Sequence, residues 1–362
     1  MKPSSLYVHI PFCNHICPYC DFPKVVYEKQ WAFSYLNSLL SELDSLSLDK
    51  LDTIYIGGGT PTSLDISLLD KLLKKLSSYL NEGGEFSIEA NPDSLDEEKI
   101  KVFSKNKINR VSLGVQSTIK SNLDFLGRKH NYEDVKKCVE LLRKHCINNI
   151  NCDLIYAYNG LSIKDLNKTI EDILALNVPH VSAYSLILEK GTLFYNKGIK
   201  EENEDIAASQ YEFILNKLRN CGYKRYEVSN FAKNGFECNH NLVYWKDEEY
   251  YAIGLGASSY VKGIRSKNTL NLSSYLKNEF KGSYEVVGKE DDIKYFLLTN
   301  LRLEDGFPLE KFEQRFSSFD KDILLKKAKK MIDASLLRIK NDRLMATDKG
   351  LLLLDYILIN LF

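Results

Sequence analysis

Three cysteines fall within eight residues of the stretch Phe12-Cys13-Asn14-His15-Ile16-Cys17-Pro18-Tyr19-Cys20-Asp21-Phe22. Thiolate sulfur is a soft ligand that suits iron–sulfur clusters, which normally take four cysteine ligands. Only three cysteines are present in this stretch, so one iron of such a cluster would stay free to bind a small molecule. The spacing therefore predicts an iron–sulfur cluster held by Cys13, Cys17 and Cys20, with one open iron.

A structural zinc site with His15 as the fourth ligand is the alternative that this stretch leaves open. Zinc sites usually assemble from two separated pairs of ligands, which disfavours this alternative. The cysteines elsewhere in the chain show no framework spacing and are predicted to be reduced, buried small hydrophobes. They are Cys138, Cys146, Cys152, Cys221 and Cys238.

Length and charge exclude several classes of protein. A chain of 362 residues predicts one large and one small domain. No stretch approaches the roughly 18 consecutive apolar residues of a membrane span, and the first residues do not resemble a secretory signal, so the expected location is cytoplasmic. The 49 basic and 49 acidic side chains cancel, which argues against nucleic acid as the principal partner.

Short runs rich in β-branched and aromatic residues alternate with helical patterns along the first two thirds of the chain. Such alternation predicts βα units that form a parallel sheet with right-handed crossovers. Six units are too few for a complete eight-unit barrel. The runs cover residues 6–10, 53–56, 86–89, 110–115, 150–155 and 181–187.

The pattern changes beyond about Gly263, which divides the chain into 1–263 and 264–362. Helices are predicted in the second part, followed by two strands around an Asn-Asp turn, and Thr347 would cap one final helix. Three helices and a hairpin resemble a small winged-helix-like domain. Such domains can bind DNA, but the balanced charge disfavours this function. The predicted helices cover 291–301, 309–316 and 320–334.

A glycine-rich segment follows the second predicted strand, at Gly57-Gly58-Gly59-Thr60. Backbone without side chains lets a ligand approach closely. In parallel α/β folds the carboxyl ends of the strands line the site, so polar residues there are candidates for ligand binding. Those residues are Glu89, Gln116, Arg128 and Asp153.

The C-x3-C-x2-C spacing, with an aromatic residue before the last cysteine, resembles the radical S-adenosylmethionine (SAM) superfamily. The resemblance implies an open partial (β/α)6 barrel of TIM type, with a [4Fe-4S] cluster on the loop after the first strand and SAM on its open iron. It assigns residues 57–60 to the SAM amino group, Gln116 and Asp153 to the ribose, Arg128 to the methionyl carboxylate and Glu89 to the SAM pocket. After Asp153 the family usually has a Gly-Leu-Pro-Gly turn, where this chain has residues 157–160, Ala-Tyr-Asn-Gly.

Four segments together resemble the heme-chaperone branch of the oxygen-independent coproporphyrinogen III oxidase family. The resemblance implies a protein that holds heme and delivers it to apoproteins of respiration. Its His-Asn-x-x-Tyr-Trp motif is intact here and makes His240 the predicted axial heme ligand, with Tyr244 and Trp245 against the macrocycle. The segments are 6–13, 126–130, 226–232 and 238–245.

Two enzymatic alternatives remain. The first is oxygen-independent coproporphyrinogen III oxidase, an oxidative decarboxylase. The oxidase carries another cysteine where this chain has Phe22, and a longer segment before the cluster loop, so its activity is not expected here. The second is a radical SAM enzyme that modifies RNA, which the zero net charge disfavours. The recipient proteins and the oligomeric state are left open.

Overall fold

The structure is a computed structural model that describes residues 2–316 and 321–362. The strands are β1 (Ser5–Ile10), β2 (Phe12–Cys13), β3 (Val25–Val26), β4 (Leu51–Gly58), β5 (Leu80–Ala90), β6 (Arg110–Gln116), β7 (Asn149–Tyr156), β8 (His180–Ser185), β9 (Lys224–Arg225), β10 (Asn230–Ala232), β11 (Tyr251–Ile253), β12 (Ser258–Val261), β13 (Ile264–Asn268), β14 (Lys281–Val286), β15 (Phe307–Pro308), β16 (Leu337–Lys340) and β17 (Arg343–Ala346).

The helices include those predicted from apolar periodicity. In the described residues none is long and apolar enough to cross a membrane. They are α1 (Lys29–Ser45), α2 (Ile66–Ser77), α3 (Glu97–Lys105), α4 (Lys120–Phe125), α5 (Tyr132–Lys144), α6 (Ile163–Ala175), α7 (Leu193–Asn196), α8 (Glu204–Asn220), α9 (Asn239–Trp245), α10 (Leu272–Tyr275), α11 (Lys289–Asn300), α12 (Leu309–Arg315), α13 (Lys321–Asp333), α14 (Asp348–Leu352) and α15 (Leu354–Leu361).

The main sheet has nine strands in the order β11-β1-β4-β5-β6-β7-β8-β10-β9 across the described part of the chain. Its centre consists of the six predicted strands, paired in parallel, with Val8 beside Ile56 and Ile56 beside Ile88. This confirms the predicted open, parallel barrel-like core. The edges were not predicted: β11 extends the parallel sheet beside β1, while β10 and β9 are antiparallel. These edge strands have only two or three residues, too few for a recognisable apolar run.

Alternation along the parallel strands separates two kinds of side chain. One face carries buried apolar residues such as Ile54, Phe86 and Val111. The other face carries polar residues that are just as buried, including Arg110 and Asn151. The interior of the partial barrel is therefore a buried polar layer, and the apolar core lies between the sheet and its helices.

The helix starts follow the capping chemistry of their sequences. Asn131 and Asp134 form a reciprocal capping box at α5. Thr347 accepts a hydrogen bond from the backbone N–H of Gly350, as predicted. The predicted single final helix is wrong, because Leu353 leaves helical geometry (φ −119°, ψ 27°) and separates α14 from α15.

The C-terminal elements form a second apolar core that includes Phe296, Leu344 and Ile357. The predicted helices and hairpin are present there, around a sheet of order β15-β17-β16. Asp320, the predicted start of one helix, lies outside the described residues. The predicted division at 263/264 falls in the turn between β12 and β13, and it stays a prediction.

Candidate functional site

A cavity of about 380 Å³ opens where the parallel strands end. Ten of the predicted site residues line it. Gly57 lies one residue before the lining, and a side chain there would come within 2.8 Å of the Glu89 carboxyl group. His240 is not brought into the cavity. The ten residues are Cys13, Cys17, Cys20, Gly58, Gly59, Thr60, Glu89, Gln116, Arg128 and Asp153.

The loop that carries Cys13, Cys17 and Cys20, called the cysteine loop below, is held in place by hydrogen bonds at both of its ends. Cys13 lies in β2, and its carbonyl accepts from the backbone N–H of Tyr27 at 2.8 Å. Beyond Cys20, the carbonyl of Pro23 accepts from Nε2 of His9, also at 2.8 Å. The cysteine side chains are therefore presented by a loop that β1 and β3 hold in place.

The three sulfurs lie in surroundings that suit a cationic metal cluster. Burial raises the pKa of the Cys13 thiol to about 11 and also raises the pKa of Cys20. Such thiols ionise when a metal supplies positive charge. Thr60 Oγ1 donates to Cys13 Sγ at 3.7 Å, and Arg128 Nη1 donates to Cys17 Sγ at 3.5 Å. The donor set fits the predicted cluster.

The zinc alternative gains no support from the position of His15. Its Nε2 lies 2.6 Å from the carbonyl oxygen of Gly127, so this nitrogen carries the proton and donates. The same nitrogen is 4.0 Å from Cys17 Sγ. Across residues 2–316 and 321–362, no three His, Cys, Asp or Glu side chains have the spacing to hold a single metal ion.

The glycine segment packs directly against the cysteine loop. Gly58 has φ +116°, and a Cβ there would lie 2.5 Å from the His9 ring. A Cβ at Gly59 would lie 2.8 Å from the backbone of Pro11. The backbone N–H of Thr60 donates to the carbonyl of Phe12 at 2.8 Å. Larger residues would therefore push the two loops apart.

Gln116 ends β6 in a conformation that is unusual for a residue with a side chain. Its φ is +64°, next to an irregularity in the pairing of β6 with β7. Its side-chain oxygen is buried and has no hydrogen-bond partner in the described structure. An unpaired buried acceptor is costly unless a ligand satisfies it. A hydroxyl group of a ligand in the cavity would do so.

Two carboxylates share the cavity. Burial and the negative charge of Asp153 raise the pKa of Glu89 to about 7. Tyr55 hydroxyl and Gly58 N–H each donate to Glu89 at 3.0 Å. Asp153 accepts from Ser112 Oγ at 3.1 Å, and burial raises its pKa as well. Glu89 therefore titrates near neutral pH.

Arg128 is buried beside the cysteine loop. Its Nη2 donates to the carbonyl of Gly114 at 2.7 Å and to the side chain of Asn91. A guanidinium group has five N–H donors, so this fixed side chain keeps donors for an anionic ligand.

His240 lies in the polar interior of the barrel. Its side chain is fully buried, and burial lowers its pKa to about 3. Thr53 hydroxyl donates to Ser5, so His240 Nδ1 donates to Thr53 at 2.8 Å and Nε2 accepts from Tyr244 at 2.7 Å. Neither nitrogen is free in this arrangement. Heme ligation by His240 stays a prediction that requires one of these bonds to be exchanged.

Several residues of the barrel interior were missed by the sequence reasoning. Glu85 accepts from the backbone N–H groups of Asn239 and His240, at 2.8 and 3.3 Å, and so closes the N-terminus of α9. Tyr55 and Ser112 line the cavity. Each of these three lies two or four residues before a predicted site residue on its strand. Period-two alternation was the signal that could have identified them.

Two further predictions are resolved by burial and backbone geometry. The unusual turn at 157–160 does not line the cavity, and Tyr158 instead stacks on Phe125 with ring centroids 5.4 Å apart.

The prediction that all other cysteines are buried is wrong for Cys146 and Cys221, which are exposed. Both lie where a helix ends, since Cys221 caps α8 and Cys146 follows α5 with φ +64°.

Comparison with known proteins shows the family of the chain. The profile of the radical SAM superfamily matches residues 7–173, and that of the HemN C-terminal domain matches 287–353. The heme chaperone HemW of Lactococcus lactis is 42% identical over 96% of this chain and 94% of its own length. HemW of Bacillus subtilis is 37% identical over 86% of both chains.

A solved structure shares the fold. Coproporphyrinogen III oxidase (HemN) from Escherichia coli superimposes with a TM-score of 0.85 at 20% identity, covering 99% of this chain and 90% of that one. At this identity the match concerns the fold alone. It confirms the radical SAM type of partial barrel with a small C-terminal domain. By its sequence similarity over most of its length, the chain belongs to the HemW family within the radical SAM superfamily.

Proposed function

We propose that this protein is a cytoplasmic heme chaperone that holds a [4Fe-4S] cluster and SAM, binds heme and delivers it to respiratory apoproteins. The observation that carries the proposal is the single cavity shared by the three cysteines and the strand-end polar residues. The heme part rests on the relatives, whose name is heme chaperone.

Within the cavity each residue has a proposed role. Cys13, Cys17 and Cys20 hold the cluster, and residues 57–60 meet the amino group of SAM. Gln116 and Asp153 accept from the ribose hydroxyls, which would satisfy the unpaired Gln116 oxygen. Arg128 binds the methionyl carboxylate, and Glu89 completes the pocket. A cluster and SAM supply one-electron radical chemistry when bound.

The oxidase alternative is tested by product analysis. Incubation with coproporphyrinogen III, SAM and a reductant is expected to yield no protoporphyrinogen. Phe22, where the oxidase carries a further cysteine, lines the cavity with 60% of its surface exposed and offers no polar or redox group. Chromatography of the tetrapyrroles measures the outcome. Multiple turnovers would assign the protein to the oxidases.

The heme ligand is tested by histidine variants. His240→Ala is expected to lose stable heme binding and to keep its cluster, because the ring nitrogens bond Thr53 and Tyr244, which lie outside the cysteine loop. Tyr244→Phe is the matched control, since it frees Nε2 and keeps the imidazole, so it should bind heme at least as tightly as the wild type.

Heme titrations followed by visible spectra decide the ligand. Unchanged binding in His240→Ala, with loss in a variant of another histidine, would refute the assignment. The rival ligands are His9, His15, His130, His145 and His180.

A further inference from the structure

We propose that His180 and Asn151 are positioning residues for Asp153, the carboxylate assigned above to the SAM ribose. Asp153 lines the cavity, whereas Asn151 and His180 are 1% and 0% exposed and lie beneath it on β7 and β8. The inference rests on the proposed SAM site. It adds two buried residues that orient Asp153 through hydrogen bonds without lining the cavity.

Asn151 holds one oxygen of the carboxylate. Its Nδ2 lies 2.7 Å from Asp153 Oδ1, 2.7 Å from Ser112 Oγ and 2.8 Å from Ser182 Oγ, and Ser112 Oγ donates to the other carboxylate oxygen at 3.1 Å. A carboxylate only accepts, so the Asn151 amide must present its NH2 group to Asp153. The amide oxygen must then point away from the cavity, toward β8. Each Asp153 oxygen keeps further accepting capacity for a ligand.

His180 fixes that orientation of the amide. Its Nδ1 lies 2.6 Å from Asn151 Oδ1, an atom that only accepts, so Nδ1 carries the proton. Its Nε2 then accepts from the Tyr226 hydroxyl at 2.9 Å. Burial lowers the pKa of His180 well below its ordinary value, so the ring is neutral and has one tautomer. Donation runs in one direction, from Tyr226 through His180 and Asn151 to Asp153.

The first donor of this series of hydrogen bonds, Tyr226, lies in the segment 226–232. That segment is one of the four that resemble the family, and no function has been assigned to it above. The Tyr226 oxygen also accepts from the backbone N–H of Cys238 at 3.2 Å, immediately before α9. With its proton given to His180, the hydroxyl is satisfied on both sides. If the network positions Asp153, SAM affinity depends on which His180 nitrogen carries the proton.

Two substitutions at His180 test this dependence. In His180→Asn, the short amide places an N–H near the position of Nδ1 and can still donate to Asn151. In His180→Gln, the longer amide reaches the position of Nε2 and leaves Asn151 without its donor. We expect His180→Gln to weaken SAM binding about three- to tenfold, which is the effect of one hydrogen bond. We expect His180→Asn to keep most of the wild-type SAM affinity.

Two tyrosine variants provide a second test that perturbs packing less. Tyr226→Phe removes the hydroxyl that donates to His180 Nε2 and should weaken SAM binding about threefold. Tyr223→Phe is the matched control, because its buried hydroxyl donates to the carbonyl of Val178, which is not part of the hydrogen-bond series from Tyr226 to Asp153. If the His180 variants do not fold, the SAM affinities of the two tyrosine variants decide whether the hydrogen-bond series positions Asp153.

The measurement is equilibrium SAM binding to anaerobically reconstituted protein, with cluster content and melting temperature determined for each variant. Wild-type affinity in His180→Gln and Tyr226→Phe would overturn this inference and leave the proposed SAM site standing. Equal losses in His180→Asn and His180→Gln would also overturn it, as would equal losses in Tyr226→Phe and Tyr223→Phe. Failure of the wild type to bind SAM would overturn both proposals.

Discussion

Replacing Cys13, Cys17 and Cys20 together with alanine is expected to abolish cluster assembly and the response to SAM. These thiols meet in one cavity and are the proposed ligands of the cluster. The wild type should hold about four irons per chain after anaerobic reconstitution. Iron analysis and the electron paramagnetic resonance spectrum of the reduced protein, with and without SAM, measure the effect.

The exposed cysteines provide the control. A Cys146→Ala/Cys221→Ala variant removes two accessible thiols outside the cavity and should keep full iron content. A full cluster in the triple variant would contradict the assignment. Its ligands would then have to be sought among the remaining five cysteines.

Arg128→Ala is expected to weaken SAM binding about ten- to hundredfold, the range for hydrogen bonds to charged groups. The fully charged guanidinium is held in place by Gly114 and Asn91, so little freedom is lost when it pairs with a carboxylate. Gln116→Ala and Asp153→Ala each remove one acceptor for an uncharged ribose hydroxyl and should weaken SAM binding several-fold, or by about 1 kcal/mol.

Arg128→Lys separates charge from geometry, because it keeps the positive charge and loses the planar fork. We expect it to recover part of the affinity lost in Arg128→Ala. Cluster content must be measured in parallel, since Arg128 also contacts Cys17. Unchanged SAM binding in Arg128→Ala, Gln116→Ala and Asp153→Ala, with the cluster intact, would remove the proposed pocket.

The central fold was predictable because its signals are local. Each of the six central strands is a run of six to eleven residues with apolar side chains facing the helices, and the cysteine triad is one contiguous motif. The cavity lining followed from the rule that parallel strands bring their carboxyl ends together. Gly58, Glu89 and Gln116 come from different strands and still meet in one cavity.

The surroundings of His240 were not predictable, because they depend on distant residues. Thr53, which accepts from its Nδ1, lies 187 positions away in the sequence. Glu85, which caps the helix α9 that carries His240, lies 155 positions away. A motif shows which residue types are present and not which atoms they already bond. The ring nitrogens of His240 and His180 illustrate this, since each accepts or donates inside the barrel.

The most direct test of the chaperone proposal is heme itself. The anaerobically reconstituted protein is titrated with heme, separated from free heme, and then mixed with a heme-free respiratory apoprotein while visible spectra are recorded. The proposal predicts a stable heme complex whose spectrum is replaced by that of the loaded acceptor. Failure of the wild-type protein to retain heme would contradict it.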